Sequence, residues 1–302
     1  MVRFPSCIMT RTHSARNLLV RLMSETPWSR PGSPPPTELT SARLAAHYAA
    51  QPLAAAAYAL LPMEADHSHS NLLWSADQDR FLGRELPRGG KCFLDVKRLA
   101  VGLISGNGAT VSIELAGKTL AFAMDGMAEI LREVGEEVPA KGLALPEYDL
   151  PPAPVATGAT FDTFEDLRDG LAELERWIRG GAGILAQIAD RELDGVELRG
   201  WPHHFDLAAF RVVDDGGDPE TARSINVGLS PGDSTFNEPY FYVGPWPYPN
   251  PGELPELPGG ARWHTEGFTA AVLTATSLLA NGSDPLETLV GTVRATKALM
   301  TS

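Results

Sequence analysis

The clearest alternation in the chain sets Ile225, Val227 and Leu229 against Ser224, Asn226 and Gly228. Successive strand side chains point to opposite faces, so this segment predicts a strand with one apolar and one polar face. The same period sets Cys92, Leu94 and Val96 against Phe93, Asp95 and Lys97, and Val111, Ile113 and Leu115 against Ser112 and Glu114. Gly106-Asn107-Gly108 between them predicts a hairpin turn. Strands are also expected over 196–201, 205–213, 223–229 and 240–243, with an extended stretch over 70–74. Asp214-Asp215-Gly216-Gly217 reads as a turn. Ser230-Pro231-Gly232-Asp233 suits a type II turn, with proline and glycine at its two central positions.

Other segments carry the helical period. Leu120, Met124, Met127, Leu131 and Val134 share one face of a helix stopped by Gly135. Thr163 is placed to cap a second helix whose buried stripe is Phe164, Leu167, Leu171, Leu174 and Ile178. Gly180-Gly181 is expected to interrupt it before Ile184, Leu185 and Ile188. Ser41 predicts the cap of an alanine-rich helix reaching Leu61, kinked at Pro52. Two helices are expected at the end, over 268–280 and 285–300. Asn281-Gly282 stops the first, and Asp284-Pro285-Leu286-Glu287 starts the second.

Residues 138–160 hold five prolines without a clear period and read as a long connection. Pro245 to Pro258 bounds a second proline-rich loop. The strands come in antiparallel-looking runs without βαβ alternation, so the expected class is α+β. Two lobes, about 41–135 and 163–302, would each be an antiparallel sheet backed by helices. Both run helix, His-bearing junction, strands, helix, which raises an internal duplication without a residue-level repeat.

Composition narrows the function classes. With 302 residues and 43% hydrophobic side chains the chain can bury a sizeable core. Its longest apolar run, Leu53 to Leu61, is too short to cross a bilayer. A net charge of −13 argues against a nucleic-acid partner. Two cysteines, Cys7 and Cys92, do not make a disulfide framework, and the alternation turns Cys92 inward as a core thiol. Residues 1–30 carry five arginines against one glutamate, a composition shared with transit peptides; a disordered tail is the simpler reading. With the Pro/Ser-rich stretch Pro27 to Pro36, this gives a tail and linker over 1–39 and a single domain over 40–302. No apolar core follows the basic start, so a secretory signal is not expected, and no membrane partner is expected either.

Candidate chemistry gathers in three histidine motifs: Asp66-His67-Ser68-His69, Trp201-Pro202-His203-His204-Phe205-Asp206 and Trp263-His264-Thr265-Glu266. In extended backbone His67 and His69 share a face, and so do His204 and Asp206, with His203 opposite. Imidazole and carboxylate are the usual donors to zinc, iron and manganese, so a divalent metal held by His203 or His204, Asp206 and His264 is one reading. His67 and His69 would complete the site, and Glu266 would act as general base on a metal-bound water. A metal-free polar pocket and purely structural histidines remain as alternatives. Asp206, inside an apolar strand, must be paired, coordinated or protonated if buried. Tyr240 and Tyr242 share one strand face with Phe241 on the other. With Trp201, Asp233 and Trp263 they suit a small-molecule pocket. Nucleotide-loop and serine-elbow motifs are missing.

Trp201-x-x-x-Phe205-Asp206-Leu207-Ala208-x-x-Arg211, Ser230-Pro231-Gly232 and Tyr240-Phe241-Tyr242 before Pro245, Pro247 and Pro249 resemble the bacterial domain-of-unknown-function family 5996. The resemblance is strongest over about 195–300, looser over 66–180 and absent from 1–40. His203-His204 and Trp263-His264-Thr265-Glu266-Gly267-Phe268 depart from the family pattern. The resemblance implies a bacterial cytoplasmic domain and transfers no activity. From the histidine and carboxylate motifs the expectation is a small-molecule enzyme, a metal-dependent hydrolase if those side chains hold a metal. The alternative is a non-catalytic domain that binds a small molecule or protein through the 236–258 loop.

Overall fold

A computed structural model describes residues 32–214 and 222–301. The basic tail with Cys7, and positions 215–217 of the expected turn, lie outside the described residues. The chain opens with helices α1 (Thr40–Ala49) and α2 (Gln51–Leu60). Strands β1 (Leu73–Ser75), β2 (Arg80–Glu85), β3 (Lys91–Asp95), β4 (Ala100–Ile104) and β5 (Thr110–Glu114) follow, then α3 (Leu120–Glu133). The second half begins with α4 (Phe164–Glu192). It continues with β6 (Leu198–Trp201), β7 (Asp206–Val212), β8 (Ser224–Ser230), β9 (Tyr240–Trp246), β10 (Arg262–His264) and β11 (Ala270–Thr274). Helices α5 (Ala275–Asn281) and α6 (Pro285–Thr301) end it. Both sheets are antiparallel and the class is α+β.

The first sheet is a plain five-stranded meander, whereas the second has six strands in the order β10-β11-β9-β8-β7-β6. The orders differ, and a duplicated unit is not shown. The sheets meet edge to edge, where Leu72 and Gly200 exchange two backbone hydrogen bonds at 2.7 and 2.8 Å. One continuous apolar core runs through both halves, from Leu53 and Leu94 to Leu229 and Phe241.

Several expectations change under tertiary packing. The helix expected over 268–280 is half strand: Ala270–Thr274 inserts as β11 between β10 and β9. There Ala271 and Leu273 enter the core while Ala270 and Val272 face the other way. The helix starts only at Ala275, where Thr274 Oγ1 accepts the Ser277 amide at 3.2 Å. Gly180-Gly181 does not interrupt α4, which is one helix of 29 residues. A Cβ on Gly181 would stand 2.4 Å from Leu229 Cδ2, so the glycine admits close approach of helix to sheet. Phe164, expected in the buried stripe, is exposed, and Thr163 caps as expected, taking the Asp166 amide.

Leu39, not Ser41, occupies the N-cap position of α1, without a side-chain cap, and the expected kink is a break at Ala50 ahead of Pro52. The fold also begins before Thr40. Pro36–Glu38 forms a 3-10 turn, Leu39 is buried, and the Gly32 amide donates to Glu173. That buried carboxylate also accepts Trp177 Nε1 at 3.1 Å and Arg176 Nε at 2.8 Å, which satisfies a charge that would otherwise be costly inside. Strands β2, β4 and β10 have no counterpart among the expected elements. β10 has only three residues, β4 is apolar throughout, and β2 sets Phe81 beside Leu82 and a glycine, so none shows a clear apolar–polar alternation in its sequence.

Candidate functional site

Strand alternation gives the six-stranded sheet two different faces. Leu207, Ala209, Ile225, Val227, Leu229, Phe241 and Val243 face the core, where α4 and α6 cover them. Asp206, Ala208, Asn226, Tyr242 and Gly244 lie on the opposite face, which forms the floor of a cleft of about 800 Å³. Its rim comes from five places: His67, the β6–β7 turn with His203 and His204, the turn at Asp233, and the segments around Trp246–Tyr248 and Phe268–Ala270.

Two tyrosine–aspartate pairs sit on this face. The Tyr242 hydroxyl donates to Asp206 Oδ2 at 2.5 Å, and the Tyr240 hydroxyl donates to Asp233 Oδ2 at 2.6 Å. Their surroundings differ. Asp233 Oδ1 also accepts the Thr235 and Phe236 amides at 2.7 and 2.9 Å, which builds the turn after the left-handed Gly232. Asp206 Oδ1 is buried and has no partner. Burial pushes the Asp206 carboxyl above its ordinary value, against the opposing pull of the Tyr242 hydrogen bond and His204. The Tyr242 and Tyr240 phenols are raised by burial and by the carboxylates they face. Asn226 Oδ1, also on the cleft floor, is a second buried acceptor without a partner.

The histidines fall into separate groups. His67 has φ +55° and lies in a turn, so the extended geometry expected for His67 and His69 does not form. Its Nδ1 meets the Tyr58 hydroxyl at 3.1 Å. His69 is buried, outside the cleft, with Nδ1 accepting the Glu64 amide at 3.2 Å and Nε2 unpartnered. His203 and His204 occupy the β6–β7 turn before the left-handed Phe205, so strand alternation does not separate them; their rings stand 4.3 Å apart. Burial, with His204 and His67 nearby, lowers His203 to about 4, so its imidazole is neutral at pH 7. His264 and Glu266 lie outside the cleft lining. His264 Nε2 bonds the Glu266 carbonyl at 2.7 Å and its ring packs on Phe268 and Phe236. Glu266 is exposed. Trp263 packs against the core and donates Nε1–H to the Pro255 carbonyl at 2.9 Å, so it also lies outside the cleft.

The structure thus brings together Trp201, His203, His204, Asp206, Asp233, Tyr240, Tyr242 and His67, and leaves His69, Trp263, His264 and Glu266 apart. Among the described residues no three His, Cys, Asp or Glu side chains form a group able to hold a metal ion. A metal set of His203 or His204 with His264, and Glu266 beside it, is therefore not assembled. Sequence reading missed Asn226, Ala208, Gly244 and Phe268. The polar half of the Ser224–Gly228 alternation was the available signal for Asn226, since it marks the face without showing what closes over it. Cys92 is a core thiol as expected, fully buried and pushed up to about 12 by desolvation. No described helix is long and apolar enough to cross a membrane.

No family model, no curated protein and no solved structure matches this chain.

Proposed function

We propose that the cleft binds a small organic molecule and that Asp206 both anchors it and exchanges a proton with it. The observation that carries this reading is the Asp206 carboxyl: buried, held through one oxygen by Tyr242, and unpartnered at the other. An unpaired buried carboxyl oxygen is costly, and such groups concentrate where a ligand supplies the missing contact. The neutral His203 imidazole at the rim offers a second group for proton transfer. Small-molecule sites combine apolar and aromatic walls with few polar groups, and this cleft has that make-up.

The test is a thermal-shift screen of metabolite-sized compounds against the wild type and Ala208→Leu, which fills the cleft floor. Compounds that stabilise the wild type and not Ala208→Leu are expected. Calorimetry of a hit in two buffers of different ionisation enthalpy should then show a proton taken up or released, and Asp206→Asn should abolish it. Hits that stabilise both proteins equally overturn the cleft as the site. Binding without proton exchange reduces the reading to a non-catalytic binding protein.

A further inference from the structure

The cleft is lined by two carboxyl groups, Asp206 and Asp233, and its described lining contains no lysine or arginine. An anionic ligand would meet two carboxyls there and no lysine or arginine in the described lining to receive it. We infer that the ligand is an organic cation with N–H donors, a primary ammonium, amidinium or guanidinium on an apolar body, whose charged head seats against Asp206. The inference rests on the cleft being a small-molecule site and names the class of molecule it takes.

The two carboxyls are not equivalent. Asp233 is satisfied by the Tyr240 hydroxyl and two backbone amides, and the charge of Arg43 acts on it from α1. Asp206 has one hydrogen bond and a buried free oxygen. An ionised carboxylate oxygen and an amide oxygen both accept, so the groups that complete ionised Asp206 and Asn226 Oδ1 are donors. The β7–β8 register pairs Asn226 with Phe210, four positions beyond Asp206 and roughly 13 Å along the strand. One head group does not span that length, so the Asn226 oxygen suits a second donor at the far end of an elongated ligand. Trp201, Phe210, Trp246, Tyr248 and Phe268 supply ring faces and edges around the cleft, and ring faces attract cations. The net charge of −13 adds a favourable field for a cation approaching from solvent.

A matched series of probes tests this by calorimetry on the full chain: phenethylammonium, phenethyl alcohol and 3-phenylpropionate, close in size and differing in head-group charge. Phenethylammonium is expected to bind saturably, about tenfold or more tighter than the alcohol, with no binding of the carboxylate. Asp206→Asn should remove most of the preference for the cation. Equal binding of all three in a form lost in Ala208→Leu overturns the cation while leaving the cleft as a small-molecule site. No binding of phenethylammonium up to roughly 10 mM also overturns it. The Ala208→Leu library comparison decides separately whether the cleft binds anything. Because the probe series is read on the wild type, the inference stays testable even if Asp206→Asn fails to fold.

Discussion

The Tyr242 ring lies directly over Gly228. A Cβ on that glycine would fall 2.3 Å from Tyr242 Cζ and 2.4 Å from its hydroxyl oxygen. The bare backbone of β8 is what lets the phenol reach across from β9 to Asp206 on β7. Gly228→Ala should displace the ring, at a cost of about 1–3 kcal/mol for overpacking. It should also abolish ligand binding in the cleft. Urea unfolding and the same thermal-shift hits measure the two effects; an unchanged midpoint would contradict the close approach.

Tyr242→Phe removes the hydroxyl without the ring. Asp206 Oδ2 then loses its partner while Oδ1 already lacks one, and a loss of about 1–3 kcal/mol is expected. The double variant Tyr242→Phe/Asp206→Asn should show non-additive energies, because the two groups act as one pair. Additive losses in a double-mutant cycle would mean that the bond contributes little.

Asp206 also sets a pH dependence of known sign. Its carboxyl is raised by burial, so the folded chain keeps this proton after the unfolded chain has lost it near 3.8. The folded state then binds more protons, and stability falls as pH rises from about 4 through the raised value. Relative to Asp206→Asn, the wild type should lose stability over that window. Urea midpoints of both proteins at stepped pH provide the comparison; parallel curves would contradict the raised value.

His47 works in the opposite direction. It is buried, stacks on Phe205 at 5.5 Å and bonds the Pro202 carbonyl at 2.9 Å, and burial lowers it to about 4. The unfolded chain takes up this proton near 6.5, so acidification from 6.5 to 4 favours unfolding by up to about 3 kcal/mol. His47→Phe keeps the stack, and Pro202 still accepts from Gln51 Nε2 at 3.0 Å. This variant should lose less stability between pH 6.5 and 4 than the wild type, as thermal melts across that range would show.

Two glycines of α4 should answer alanine oppositely. Gly183 has nothing within 4 Å of an added Cβ, so Gly183→Ala should stabilise by about 0.5–1 kcal/mol through helix propensity. Gly181→Ala meets Leu229 and should destabilise by about 1–3 kcal/mol. Chemical denaturation of the pair separates propensity from packing, and equal signs would refute the fit against Leu229.

Much of the architecture was legible in the sequence because local chemistry determines it. Thr163 and Asp284 cap where their side chains accept the next amides. Gly135, Gly232 and Gly282 take the left-handed backbone that ends helices or closes a turn. The alternation of Tyr240, Phe241 and Tyr242 sorts them correctly onto two faces. In the site, the same period identified Asp206, Tyr240 and Tyr242, and the carboxylate in an apolar strand announced that it needed a partner.

Tertiary structure alone decided the rest. Residues 270–274 carry a pattern that serves helix or strand, and the vacant edge of β9 made them a strand. Gly181 reads as a helix breaker until Leu229 is seen above it. Spacing of i, i+2 suggested paired histidine ligands, but His67 and His203-His204 sit in turns, where alternation does not hold. Whether His264 reaches Asp206 depends on how distant segments meet in space. Local sequence period carries direction along one element; it carries no distance between elements, and a binding site is made of those distances.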